Sequence, residues 1–218
     1  MAPAPPSART RPLLRGVSHL VAAVAAVPAV AGLVARARSS PGLYGAAVYG
    51  ATLVILFASS AVYHRIFWRP EARRIVGRID HSAIFLLIAG TYTPFCLLLG
   101  PGAGHVLLAV VWIAAALGIG VVITWDDAPK PLRAALYVLF GWFIVPVVPA
   151  LRSAVGVEAL RLLLAGGFIY TVGAVVYGLR RPDPFPRIFG FHEIFHLLVI
   201  AAATCHFLVV DAAVRALG

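Results

Sequence analysis

The feature that most constrains this chain is the gathering of its apolar residues into seven long runs separated by short polar breaks. The runs cover residues 17–35, 43–64, 80–99, 104–124, 133–151, 158–178 and 191–212. Each approaches the roughly 20 residues that an α-helix needs to cross a bilayer, and only 12% of the chain is charged. The sequence therefore predicts an all-α fold, a polytopic membrane protein with a seven-helix bundle over residues 16–218.

The ends of the runs carry the irregular features of the chain. Pro146 and Pro149 interrupt the end of the fifth run, and Pro94 should kink the third.

Residues 1–15 are rich in Pro, Ala and Arg and are predicted to form a disordered, basic cytoplasmic tail. The first run is interpreted as a retained membrane helix, because about 18 apolar residues exceed a typical signal-peptide core.

Basic residues outnumber acidic ones, 18 against 8, which gives a net charge of +10. They lie in the breaks between apolar runs, so membrane lipids with anionic headgroups are the expected partners and nucleic acid is not. A cytoplasmic N-terminus would place 13 of the 18 on cytoplasmic segments: Arg9, Arg11, Arg15, Arg65, Arg69, Arg73, Arg74, Arg78, Lys130, Arg133, Arg180, Arg181 and Arg187. Because cytoplasmic loops are enriched in Lys and Arg, this distribution predicts that orientation.

Five ionisable residues share one depth in the predicted topology. His19 begins the first run, His64 ends the second, Asp80 begins the third, and His192 and His196 begin the last. Each of these positions is the cytoplasmic end of its helix. Ionisable side chains inside a membrane are costly, so their alignment indicates a functional site.

Three of these histidines have the spacing of a metal site. His192 and His196 are about 6 Å apart along a helix axis and on one face. With His64 they are the predicted metal ligands, because three imidazoles and a water form a familiar catalytic shell of Zn²⁺. Asp80 and Ser60 are the predicted catalytic residues: Asp80 would orient or deprotonate the water, and Ser60 would make a supporting contact.

Simpler interpretations exist for each of these residues. Histidines four residues apart occur by chance, and interfacial histidines often bond only backbone or headgroups. Asp80 could instead cap a helix or pair with Arg78 or Arg74. His19 is expected to be a structural hydrogen-bonding residue.

The pentapeptide His192-Glu193-Ile194-Phe195-His196 is also a literal H-E-x-x-H, the helix signature of zinc peptidases. Such peptidases need a third ligand, and the candidates after His196 are His206 and Asp211. Both would lie on the same helix as the pair, a nanometre or more away, and cannot fold back. A peptidase is therefore disfavoured, and Glu193 is expected near solvent, beside the arginines of the preceding loop.

An ordered set of motifs extends along nearly the whole chain: PLLRGVSH, SSAVYH, RIDHSAIFLLIAGTYTPF, LYVLFGW, IYTVGAVVYG and FHEIFHLLVIAAATCHF. The set resembles the hemolysin III family, the bacterial branch of the progestin and adipoQ receptor superfamily. One departure lies at the start, where Leu14, Arg15 and Gly16 stand in place of the acidic residue and Asn that the family often has.

The resemblance implies seven helices, a cytoplasmic N-terminus and a location in the bacterial inner membrane. It also implies zinc held by His64, His192 and His196, with Asp80 and Ser60 in support. Because the superfamily includes receptors with ceramide-hydrolysing activity, the expected function is zinc-dependent hydrolysis of a lipid amide or ester.

Two alternatives come from other functional classes. One is a non-enzymatic membrane protein whose zinc is structural, with a role in lipid sensing or membrane homeostasis. The other is a cytolysin, or hemolysin. A pore is disfavoured because the middles of the runs are composed of Ala, Val, Leu and Ile rather than polar residues.

Overall fold

The computed structural model describes residues 12–218, and these residues form an all-helical bundle, as predicted. The helices are α1 (Val17–Arg36), α2 (Ser40–Arg65), α3 (Pro70–Leu99), α4 (Ala103–Thr124), α5 (Lys130–Gly141), α6 (Val148–Leu179) and α7 (Phe191–Ala216), with a 3₁₀ segment at Trp142–Val147. Most of the predicted tail, residues 1–11, lies outside the described residues. Residues 12–15 lead into α1 through a turn.

Six helical segments among residues 12–218 are long and apolar enough to cross a membrane, with mean hydropathies from 1.8 to 2.9. Large apolar side chains are exposed along them, including Val24, Leu117 and Phe168. Lipid is the environment in which such surfaces are favourable, since water would penalise every one of them. The chain is therefore a multi-pass membrane protein.

One of the six segments, Lys130–Leu179, is 50 residues long and reverses direction within itself. The Lys130 ammonium lies 5.5 Å from the centre of the Tyr177 ring, and Trp142 Nε1 donates to Thr171 Oγ1 at 3.1 Å. A continuous helix would separate Lys130 from Tyr177 by about 70 Å. The helical path is broken at Gly156, whose backbone angles are φ 83° and ψ 168°.

Helices α2, α3 and α7 pack against one another in the interior, while α1 packs on α2 and α7, α4 packs on α3, and α6 packs on α7. Large side chains such as Tyr49, Phe85 and Phe95 are completely buried there. Small residues allow close approach of the helices: a Cβ at Gly90 on α3 would overlap Thr52 on α2.

The end of the bundle that holds Arg36 and Asp211 fastens α1 to α7. Arg36 Nε donates to Asp211 Oδ1 at 2.8 Å, and the other carboxylate oxygen lies 2.8 Å from Arg215 Nη2. One buried carboxylate therefore bridges two guanidinium groups.

Helix α3 begins at Pro70, earlier than the apolar run 80–99 predicted. The added turns are rich in arginine, so hydropathy alone misses them, although they are helical. Arg78 on these turns forms a two-pronged pair with Asp126 at 2.7 and 2.8 Å. This hydrogen bonding lowers the pKa of the Asp126 carboxyl, so the pair holds the α4–α5 loop at neutral pH.

Replacing Gly156 with Ala should destabilise the protein by about 1–3 kcal/mol, because its backbone conformation is nearly exclusive to glycine. No neighbouring atom would touch the new Cβ, so the cost is backbone strain alone. Gly120→Ala is the matched control, since Gly120 also faces open space but lies in a regular helix. Thermal unfolding in detergent should show a loss only for Gly156→Ala; equal midpoints for the two variants would contradict this account.

Candidate metal centre

The predicted ligands His64, His192 and His196 meet in the structure. One nitrogen from each ring lies within 4.8 Å of the others, and the Nε2 atoms of His64 and His192 are 3.1 Å apart. His64 comes from the last turn of α2, whereas His192 and His196 come from the first turns of α7. The three residues are therefore close enough to bind one metal ion.

The donor set fits a divalent ion of the zinc type. Tetrahedral ligation at the usual zinc–nitrogen distance separates ligand nitrogens by about 3.3 Å, close to the observed 3.1 Å. A direct hydrogen bond between the two rings would have a similar length, so the distance alone does not identify an ion. The convergence of three imidazoles, with His64 and His196 buried and His192 half-buried, is what favours a cation there.

Asp80 and Ser60 lie beside this cluster. Asp80 Oδ2 is 3.8 Å from His64 Nε2, and the Ser60 side chain approaches the same carboxyl group. Because α3 begins at Pro70, Asp80 lies well inside the helix and does not cap it. Arg78 pairs with Asp126, which leaves the Asp80 carboxyl directed toward the histidines.

The cluster forms one end of a cavity of about 140 Å³. The walls beyond it are mainly apolar and aromatic, and they extend as far as Trp142 and His206. His206 lies about 15 Å from His196 along α7, as predicted from their spacing, and its Nε2 contacts the Leu163 carbonyl at 3.1 Å. The cavity thus joins a polar end to a long apolar interior.

Glu193 does not face solvent, contrary to the sequence-based expectation, and it does not line the cavity either. It is 2% exposed, and its Oε2 accepts a hydrogen bond from the Gly190 backbone N–H at 2.8 Å. Its other oxygen lies 2.7 Å from Arg15 Nε, in the turn before α1. In this chain the glutamate of H-E-x-x-H therefore stabilises the start of α7 and makes no approach to the metal ligands.

Further contacts fix the same helix end. Asp183 accepts a hydrogen bond from the Phe191 backbone N–H at 3.0 Å, and the Leu13 N–H donates to the Arg187 carbonyl at 3.1 Å. Carboxylates at a helix N-terminus are favourable for its unpaired N–H groups and its dipole. Sequence reasoning missed this arrangement because Gly190, at the N-cap, has no side chain; the acidic third residue of the helix was the available signal.

Gly16 brings the turn before α1 against a ligand. Its φ of 77° is left-handed, and a Cβ there would come within 2.6 Å of the His64 Cβ. The neighbouring His19 is buried and stacks on His196, with ring centres 3.8 Å apart. The N-terminal segment therefore supports the two ligand helices from one side.

These features define a class: a multi-pass helical membrane protein in which buried histidines of α2 and α7 can hold an ion beside an apolar cavity. Comparison with known families gives a more particular assignment. Residues 7–207 match the family described as "Haemolysin-III related". The chain belongs to the hemolysin III family, as its motifs indicated.

Curated relatives agree with this assignment. The chain is 33% identical over 200 residues to Hemolysin-3 of Bacillus cereus, covering 89% of this chain and 88% of the relative. It is 31% identical over 205 residues to a Hemolysin-3 homolog of Bacillus subtilis (strain 168), covering 89% and 90%. The adiponectin receptor protein of Drosophila melanogaster is 34% identical over 187 residues, 76% of this chain but 41% of the receptor.

Changing Gly16 to Ala should weaken metal binding about tenfold, because the new Cβ must displace His64. Gly102→Ala is the control: Gly102 also precedes a helix with a left-handed φ, 87°, but has open space around it. Titration of Zn²⁺ against a competing chelator measures the effect. Equal weakening in both variants would assign the loss to backbone strain instead.

Changing Glu193 to Gln should lower the free energy of unfolding by about 1–3 kcal/mol and leave metal binding intact. Glutamine still accepts from the Gly190 N–H but leaves Arg15 without its counter-charge. Glu158→Gln, in an exposed pair with Arg161, should change stability by less than about 1 kcal/mol. Unfolding midpoints and metal content of both variants test this; loss of metal with unchanged stability would refute it.

Proposed function

We propose that this protein is a zinc-dependent hydrolase of a lipid amide or ester. The observation that supports the proposal is the convergence of three histidines, two of them buried and His192 half-buried, with Asp80 and Ser60 at the polar end of an apolar cavity. Such a cavity suits an acyl chain, and the polar end suits the bond that joins the chain to its headgroup.

His64, His192 and His196 would hold the ion, and zinc in such a site supplies a polarised carbonyl and an acidified water. Asp80 would accept a proton from the attacking water and return it to the leaving group. Ser60 would donate a hydrogen bond to the oxygen that gains charge. Water adds across the C–N or C–O bond, and the products are a carboxylic acid and an amine or alcohol.

The proposed orientation has seven crossings, a cytoplasmic N-terminus and a location in the bacterial inner membrane. Lys130–Leu179 supplies two of the crossings, because its ends contact each other. The concentration of arginine on alternate connections supports the orientation. The histidine cluster then lies near the cytoplasmic face, and lipid reaches it sideways from the bilayer, since acyl chains cross water at a high cost.

A non-enzymatic function is the second candidate. The ligands come from α2 and α7, so an ion would tie two helices together as a structural clamp. The similarity to a protein named adiponectin receptor supports a sensing role of this kind. A cytolysin is the weakest candidate: the names of two relatives suggest it, but the middles of the apolar runs consist mainly of Ala, Val, Leu and Ile, which do not suit a conducting pore.

Changing Asp80 to Asn should lower the rate of hydrolysis by about 10²-fold or more, while zinc content stays at the wild-type level. Changing His196 to Ala should remove both zinc and hydrolysis. Atomic spectroscopy of purified protein and mass spectrometry of products from a bacterial lipid extract measure the two quantities. His105→Ala, at an exposed residue outside the cavity, is the control and should alter neither.

The outcomes separate the candidates. Zinc without turnover in the wild-type protein, on every lipid of the extract, would refute the hydrolase and favour the clamp. Full activity in Asp80→Asn would show that another group moves the proton.

A further inference from the structure

His19 lies in the first turn of α1, beside the cluster but outside the set of ligands. It is 3% exposed, and it lines the same cavity as His64 and Asp80. Its ring stacks on His196 with 10° between the planes, and its edge contacts Phe57 at a centre-to-centre distance of 5.2 Å. The position of the ring is thus fixed from two sides.

The two ring nitrogens of His19 make no hydrogen bond to any protein atom of residues 12–218. Backbone atoms of His196 lie near the ring but do not meet hydrogen-bonding geometry. Buried polar atoms are rarely left without partners, because their desolvation is then uncompensated. Phenylalanine would fill the same space without that cost, so the nitrogens require a partner of their own.

That partner is not the ion of the histidine cluster. A metal ion bound by an imidazole lies close to the plane of the ring, along the nitrogen lone pair. The rings of His19 and His196 are almost parallel and are stacked, so one ion cannot lie in both planes. His19 is also absent from the group of ligand atoms that converge among the described residues.

We propose that His19 determines specificity by hydrogen bonding to a lipid headgroup in the cavity that offers both a donor and an acceptor. A neutral imidazole offers one N–H donor and one acceptor nitrogen that point away from each other, so a headgroup bonds both through two groups, such as a hydroxyl and a secondary amide. An ester with no neighbouring hydroxyl offers no donor. The inference rests on the proposed function for its substrate class, and it favours hydroxylated or amide-linked lipids over simple esters.

Two probes and three variants test this contact. The first probe is an N-hexanoyl long-chain amino alcohol, and the second is a hexanoyl ester of equal length that lacks both N–H and hydroxyl groups. Binding to zinc-loaded protein in detergent is followed by tryptophan fluorescence, because Trp142 lines the cavity. His19→Phe keeps an aromatic ring but no nitrogen, His19→Gln restores a donor and an acceptor, and His19→Leu is a second apolar variant should Phe not fold.

The wild-type protein should bind the amide probe about tenfold more tightly than the ester, the effect of one well-formed buried hydrogen bond. His19→Phe and His19→Leu should bind the two probes equally, and His19→Gln should recover part of the preference. Zinc content should be the same in all of them. An unchanged preference in the apolar variants would overturn the proposal, and so would loss of zinc, which would make His19 a support for His196.

The assay measures binding and needs no turnover. Absence of hydrolysis in the wild-type protein would refute the proposed activity and still leave the His19 contact open to this comparison. Conversely, equal binding of both probes by an active wild-type protein would refute the contact alone.

Discussion

Polar groups inside a membrane-spanning bundle have little water to pair with, so they depend on partners supplied by the protein. At the polar end of this bundle, Arg15 is the partner of the buried Glu193 carboxylate. It joins the turn before α1 to the start of α7, and the same carboxylate completes the hydrogen bonding of the Gly190 N–H. The helix that carries two of the three clustered histidines is therefore fixed where its first turn begins.

The N-terminal segment makes other contacts at this end as well. Gly16 lies against His64, and His19 enters the cavity and stacks on His196. The glutamate between the paired histidines thus has a structural task here. The H-E-x-x-H motif, which belongs to the zinc site of peptidases, here supplies the glutamate that fixes the start of α7.

Much of the arrangement was accessible from the sequence, and the reasons for success and failure are physical. The meeting of His64 with His192 and His196 was predicted because helical spacing and depth in the bilayer are nearly fixed by length alone. The predicted start of α3 was wrong because the first turns of the helix are charged, and hydropathy detects only its apolar part. The bond from Gly190 to Glu193 is local and had a signal in the sequence, whereas the pairing of Glu193 with Arg15 and the stacking of His19 depend on tertiary packing that no local pattern encodes.

Helices α1 and α7 are tied together at both of their ends, by Arg15 with Glu193 and by Arg36 with Asp211. These two ion pairs oppose separation of α1 from α7 at either end. If a lipid enters the cavity from the bilayer, as the proposed function requires, its entrance is expected elsewhere on the perimeter. Helices α5 and α6 form a side of the bundle that neither ion pair fastens, and Gly156 breaks the helical path there.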